Sequence, residues 1–389
     1  MINMISTDNI STFVGGLAPL INKGVSPLIP PRFNRLKKDT ASQSQQTHID
    51  DTTPSITATL SHIELETHDT KSYFFTSEKP LEHNKAGAHI HIQFDAYGQS
   101  INRTYTLSSS PALNFNAHKK TAFSITVKRV KGGLASNWLF ENMKLGGQVR
   151  VSQPQGSFVL PYQPAGKLLM LSAGSGVTPL MSMLRYLTQT GNLSNIHFLH
   201  YAQSDDDIIF YDELQKLTTT NSNINTHFSV EELKNKKHKF HQGRINLEQL
   251  IAIVPDLLEH EIYLCGPQPF MKAAIEILDD IAFKPSQLHL ENFTADRSAI
   301  TQLGYSTELH FSSLDQPILS NPSKTILEEA EAAGLKPASA CRIGICKSCR
   351  CKKISGTTVN LITNEESNTD NEYILPCVSV AKTVTTVEL

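Results

Sequence analysis

The chain has 389 residues, with 35 Lys and Arg against 37 Asp and Glu and a formal net charge of −2. Such a balance offers no polyanion-binding surface, which sets nucleic acid aside, and the length suffices for two or three domains with cores of their own. No apolar run reaches the roughly 18–20 residues of a membrane-spanning helix, so no transmembrane segment is expected.

Residues 13–28 (F-V-G-G-L-A-P-L-I-N-K-G-V-S-P-L) are moderately apolar but broken by Gly, Pro, Asn and Lys. They read as a surface clasp on a later domain, the alternative being a peripheral contact with a membrane or partner. Residues 37–54 turn polar and rich in Ser, Thr, Gln and Asp, the composition of a linker. Residues 1–54 are therefore taken as an N-terminal extension and linker. Beyond them come I-T-A-T-L-S-H-I-E-L, S-Y-F-F-T, H-I-H-I-Q-F, T-A-F-S-I-T-V-K-R-V and Q-V-R-V-S. This period-2 patterning, with turn residues between the runs, predicts an antiparallel barrel over residues 55–165. His89 and His91 alternate along one run and read as structural rather than as metal ligands.

The pattern then changes. Residues 167–172 (K-L-L-M-L-S) predict a buried strand, followed by A-G-S-G-V-T-P and a helix over 180–187. Further strands are predicted from Ile196 (I-H-F-L-H-Y-A) and from Glu261 (E-I-Y-L-C-G-P), so residues 166–296 read as a parallel α/β unit. A boundary falls near residues 297–303. The remainder, 303–389, holds a helix that opens on the capping box Thr325-x-x-Glu328 and ends at Gly334. Its apolar face is expected to be Ile326, Leu327, Ala330 and Ala333.

Four motifs precede the cysteines. Arg103-Thr104-Tyr105-Thr106 matches R-x-Y-[ST] at a strand end, where Arg103 and Tyr105 share a face. A guanidinium suits a diphosphate and a phenol can lie against a flat ring, although an exposed Arg and a core Tyr on an ordinary strand look the same. In K-G-G-L-A-S-N-W-L, Gly132 and Gly133 allow close backbone approach, and Ser136 is expected just before a short helix over 137–143. The free N–H groups at that helix start favour a pyrophosphate. Trp138 is expected to anchor the helix to the barrel. In A-G-S-G-V-T-P, Gly174 and Gly176 admit a phosphate or nicotinamide, Thr178 is a candidate N-cap and Pro179 a first-turn residue. This is not the G-x-G-x-x-G fingerprint. Cys265-Gly266-Pro267 ends a strand at the edge where an open α/β sheet holds its ligand.

Cys341, Cys346, Cys349 and Cys377 complete C-x4-C-x2-C…C, the spacing of plant-type [2Fe–2S] clusters. A structural zinc site usually pairs two short C-x-x-C units, and Cys377 has no such neighbour. Gly344 stands inside the loop, where a side chain would crowd wrapped backbone. Cys351 fits no ligand position and reads as a bystander thiol. The first residues show no secretory leader pattern, so a reduced, cytoplasmic setting is expected rather than disulfides.

In this order, R-x-Y-T, G-G-x-x-S, A-G-S-G-V-T-P, C-G-P and C-x4-C-x2-C…C resemble the ferredoxin–NADP reductase superfamily, and within it the members with a C-terminal plant-type ferredoxin domain. The resemblance begins near residue 55 and leaves the first fifty residues unmatched. It implies a Greek-key β-barrel carrying a flavin, a parallel α/β domain for a nicotinamide dinucleotide, and an α+β β-grasp ferredoxin domain. It places Thr178 and Cys265, followed by Gly266 and Pro267, near hydride transfer, and Glu291 or Phe293 of L-E-N-F near the flavin. The seat in G-G-L-A-S favours FAD, although relatives with FMN share the domain order.

A nicotinamide donor delivers two electrons together and an iron–sulfur cluster takes one, so a flavin is expected between them. NADPH-specific relatives often carry an arginine after the second α/β strand. Gln203 followed by Asp205, Asp206 and Asp207 leans instead to NADH, with Ser204 still able to meet a phosphate. Arg342, Lys347, Arg350, Lys352 and Lys353 surround the cluster loop, either as a solvated loop or as a docking face for an acidic partner. The N-terminal S-P-L-I-P-P-R-F resembles reductases that serve membrane fatty-acyl desaturases, which makes a desaturase the first expected acceptor. With it, the protein would lie at the membrane surface through its partner. A Rieske-type or alkane oxygenase, or a hybrid-cluster protein, comes second. An electron-transfer subunit of a larger dehydrogenase comes third, and the distant Cys377 counts against it.

Overall fold

A computed structural model describes residues 54–111, 121–235, 240–293, 306–321, 324–339, 344, 347, 349–363 and 365–389. The expected clasp and nearly all of the linker lie outside them. β1 (Ile56–Thr67), β2 (Thr70–Ser77), β3 (His89–Ala96), β4 (Gln99–Thr106), β5 (Thr121–Lys128) and, after helix α1 (Leu134–Asn142), β6 (Gln148–Val151) form one antiparallel sheet in the order β4-β3-β6-β1-β2-β5. Alternation drives it: Ile56, Ala58 and Leu60 of β1 point inward with Ile90, Ile92 and Phe123. Just past β4 the sheet's edges meet, where Leu107 bridges Ile125 and the Ser108 N–H donates to the Ser124 carbonyl at 2.9 Å. Trp138 of α1 stacks on Phe94 with ring centroids 5.0 Å apart, which fixes the helix to this sheet.

The second sheet is all parallel, in the order β10-β9-β8-β7-β11-β12. Its strands are β7 (Lys167–Ala173), β8 (Asn195–Ser204), β9 (Ile224–Glu232), β10 (His241–Gln242), β11 (Glu261–Cys265) and β12 (Leu288–Glu291). β7 is the central strand, with Leu168 and Met170 buried on one side and Leu169 and Leu171 on the other. Helices α2 (Val177–Gln189), α3 (Tyr211–Thr220), α4 (Leu247–Ile253) and α5 (Gln268–Asp280) connect the strands. β9 goes beyond the strands read from sequence, because only Ile224, Phe228 and Val230 of it are buried apolar residues, with polar residues between.

Two helix starts depart from expectation. α2 begins at Val177 because Gly174–Gly176 makes a 3₁₀ turn that runs straight into it. Its N-cap is therefore Gly176, and Thr178 lies within the helix, donating to the Ser175 carbonyl at 3.1 Å. α1 begins at Leu134 because extended Gly133 caps it, so Ser136 falls inside the first turn. The two sheets dock through α2. Ser182 Oγ accepts from the Gly87 N–H at 3.3 Å and donates to the Ser109 carbonyl at 2.7 Å. Arg185 donates to the Ser108 carbonyl at 2.6 Å while its other nitrogens hold Glu213.

The last module builds a five-stranded sheet from β13 (Glu308–Phe311), β14 (Ile318–Leu319), β15 (Cys351–Ser355), β18 (Glu372–Ile374) and β20 (Thr385–Glu388), in the order β14-β13-β20-β15-β18. β16 (Thr358–Asn360), β17 (Glu366–Ser367) and β19 (Ser379–Ala381) form a smaller one. Helix α6 (Ile326–Ala332) opens on Thr325 with both capping-box bonds present, and the chain leaves it through Gly334 at φ +87°. Ile326, Leu327 and Ala330 are buried as read, but Ala333 is only half-buried; Glu329 is inside instead, accepting the Asn321 N–H. Among the described residues no helix is long and apolar enough to cross a membrane.

Candidate functional site

β8 lies on one side of β7 and β11 on the other, so the strand order switches here, and the carboxyl ends of β7 and β11 are where an open α/β sheet places its ligand crevice. The two glycine motifs meet there. A Cβ on Gly176 would stand 2.3 Å from the Cys265 carbonyl oxygen, and one on Gly266 2.7 Å from the Phe270 ring. Only residues without side chains let the two turns approach so closely. Gly174, at φ +52°, has nothing within 4 Å of its Cβ direction, leaving its backbone open. Cys265 is fully buried, and burial followed by the nearby Glu291 pushes its thiol well above the ordinary range. Thr178 is buried at the head of α2, and Pro267 caps α5.

Glu291 ends β12 directly beside Cys265 in the sheet register. Its carboxyl is 7% exposed; burial pushes it up to about 8. Oε2 has no hydrogen-bond partner among the described residues, and Oε1 lies 3.9 Å from His89 Nδ1 across the junction of the two sheets. Phe293 packs partly buried on the core that contains Cys265. The structure thus gathers Thr178, Cys265, Gly266, Glu291 and Phe293 around one crevice. His89, read from sequence as structural, belongs with them. Its H-I-H-I alternation showed it faced inward, but not toward what.

On the first sheet, Tyr105 lies opposite Ile90 and packs on the core, burial pushing its hydroxyl up to about 12. Arg103 is half-buried on the same face, one nitrogen donating to the Asn102 carbonyl at 2.7 Å. Thr106 is buried opposite His89. Gly132 takes φ +73° with open space around it, whereas Gly133 is crowded: its Cβ would stand 2.8 Å from Ser136 Oγ. Ser136 accepts the Val130 N–H at 3.1 Å and so fixes this loop. The open Gly132 backbone, the guanidinium and ring on β4, and the orphaned Glu291 oxygen fit a flavin nucleotide lying toward the crevice.

Cys349 and Cys377 are buried together in a small cluster with Leu327 and Val378, a thiol set suited to iron. Cys341 and Cys346 lie outside the described residues, as does Arg342. Gly344 takes φ +78°, and a Cβ there would press on Ile362 and Val378 at 3.0 Å, so side chains rather than wrapped backbone are what exclude one. Burial pushes the Cys351 thiol up to about 12, consistent with a bystander. The basic set needs correction at Lys353. It is wholly buried, donating to the carbonyls of Gly356 and Thr369 at 2.6 and 2.8 Å, because a buried ammonium must satisfy its donors internally. Lys347 and Arg350 are exposed, the latter with its guanidinium 4.1 Å over the Tyr373 ring. Ser204 is likewise spent: it is buried and donates to Asp207 at 2.7 Å.

Residues 57–160 match the oxidoreductase FAD-binding domain, 170–276 the oxidoreductase NAD-binding domain, and 313–382 the 2Fe-2S iron-sulfur cluster binding domain. The glycine betaine monooxygenase reductase subunit of Chromohalobacter salexigens is 34% identical over 346 residues, covering 83% of this chain and 92% of its own. The chain belongs to the ferredoxin–NADP reductase superfamily, in the branch with a C-terminal [2Fe–2S] domain. The stachydrine N-demethylase reductase subunit of Rhizobium meliloti is 31% identical, over 77% of this chain and 86% of its own. Among solved structures, phthalate dioxygenase reductase shares the three-module fold with a TM-score of 0.59 at 22% identity, covering 86% of this chain and 97% of that one. This member of the superfamily is an NAD(P)H-dependent oxidoreductase that uses FAD and a [2Fe–2S] cluster.

Proposed function

We propose that this protein is the reductase component that supplies NADH-derived electrons to an oxygenase. The observation that carries the reading is the junction at β7, β11 and β12, where two glycine turns, Cys265 and Glu291 face the flavin-type sheet across His89. When bound, FAD takes two electrons from a hydride and releases them singly, and the cluster carries one at a time. Gly174, Gly176, Gly266 and Pro267 admit the nicotinamide, and Thr178 and Cys265 line its seat. Glu291 and Phe293 exclude water where the two rings meet. Arg103, Tyr105, Thr106, Gly132, Gly133 and Ser136 hold the flavin nucleotide, and Cys341, Cys346, Cys349 and Cys377 hold the cluster. On this reading the first sheet is a closed Greek-key barrel over 55–165, the parallel unit spans 166–296, and the last module, 303–389, is a β-grasp.

The oxygenase is favoured over the desaturase because the reported relatives are named as reductase subunits of a monooxygenase and a demethylase. The desaturase expectation rested on residues 26–33, outside the described set. NADH is favoured by charge. Asp205 and Asp206 stand at the end of β8, where among the described residues Lys234 is paired with Asp206, Arg244 with Glu231, and the Ser204 hydroxyl is spent on Asp207. Anaerobic titration is expected to show flavin bleaching and cluster reduction with NADH, and rates at least about tenfold lower with NADPH, a gap of 1.4 kcal/mol. Equal rates would overturn the nucleotide preference, and flavin bleaching without cluster reduction would overturn the relay. Charge reversal at Lys347 and Arg350 is expected to slow transfer to an acidic oxygenase while cytochrome c reduction persists.

A further inference from the structure

His89 and Glu291 come from different sheets, yet their side chains are only 5% and 7% exposed and 3.9 Å apart. Such a pair is not packing by default, since burying a carboxyl is costly unless a partner or proton compensates it. His89 is held from several sides. Its backbone exchanges bonds with Gln155, the N–H donating at 2.9 Å and the carbonyl accepting at 2.8 Å. Its ring lies over Gly156, where a Cβ would come within 3.0 Å of Nδ1, at a φ of +119° that a side chain rarely adopts. Glu291 faces His89 from β3 and Cys265 from β11, and the His91 ring stands 6.0 Å behind that of His89. Glu291 Oε2 has no partner among the described residues.

We propose that His89 is a positioning residue for hydride transfer, its imidazole held close enough to Glu291 to offset the charge of that carboxyl beside the hydride site. The two groups are then coupled electrostatically, so that the protonation of Glu291 responds to a residue of the flavin-bearing sheet as well as to burial. This couples the docking of the two sheets to the charge at the crevice. A carboxylate left alone there would face the nicotinamide uncompensated as pH rises.

The inference rests on reading this crevice as the hydride site, and the test separates the two. FAD reduction by NADH is followed by stopped flow across pH in the holoprotein, with His89→Gln, His89→Asn, Glu291→Gln and the double variant. The FAD midpoint potential is measured against pH without nucleotide. The wild-type transition is expected to vanish in Glu291→Gln and to move by at least about one pH unit in both His89 variants. The double variant should behave as Glu291→Gln alone. A Glu291→Gln protein with unaltered FAD reduction overturns the reading of the crevice. An effective Glu291→Gln with an unmoved profile and potential in the His89 variants overturns only the role of His89. Infrared difference spectra of wild type against Glu291→Gln need no His89 variant. A carboxyl band that titrates without accompanying change in histidine bands overturns the coupling, and the two changing together supports it.

Discussion

Gly176 shows how a single residue decides whether the crevice exists. The atom its Cβ would meet is the Cys265 carbonyl, which is backbone and fixed in β11 between two parallel neighbours. Gly176→Ala must therefore push the C-G-P turn away from α2. The expected outcome is about a hundredfold slower FAD reduction by NADH, with FAD content unchanged, read by stopped flow and absorbance. The motif was legible in sequence as a close approach, but not which backbone it approaches. Lys353 makes the opposite case: a lysine beside a basic loop reads as surface, and only its wholly buried Nζ between two carbonyls removes it from the docking face.

At the scale of elements, end chemistry was partly visible. The Thr325–Glu328 capping box is local, its bonds span three residues, and both form as the sequence suggests. Thr325→Ala is expected to cost the C-terminal module about 1 kcal/mol, seen as a lower urea midpoint for its transition. α2 starts ahead of the helix expected over 180–187, because a 3₁₀ turn of two glycines and a serine has no propensity signature of its own. Tertiary contact holds it, as Gly176 packs on the C-G-P turn. β9 carries little periodic signal because a strand flanked by neighbours on both sides tolerates polar residues that blur periodicity.

Across the whole molecule, buried titratable groups bracket the pH range of stability. Burial holds His200 at about 3, bonded to Ser172 at 2.8 Å, and His227 at about 4, stacked 6.0 Å from His197. Unfolded histidines bind protons near 6.5, so stability is expected to fall as pH drops from about 6.5 toward 4. Glu291 acts in the other direction. Its carboxyl is raised from 4.5 to about 8, so the folded state keeps a proton that the unfolded chain loses, and stability falls as pH rises through that window. Calorimetry across pH should show a maximum between these limits. His227→Gln should flatten the acid limb and Glu291→Gln the alkaline one; an unchanged curve in either variant removes that residue from the account.

By itself the sequence determined the order of three modules, the spacing of Cys341, Cys346, Cys349 and Cys377, and the residue types of the motifs proposed as nucleotide seats, since all of these are read directly along the chain. Tertiary structure alone decided that β11 lies beside β7, that the two glycine turns touch, and that His89 meets Glu291. Those relations join residues about ninety to two hundred positions apart, and contact over such separations is set by sheet order and packing rather than by local propensity.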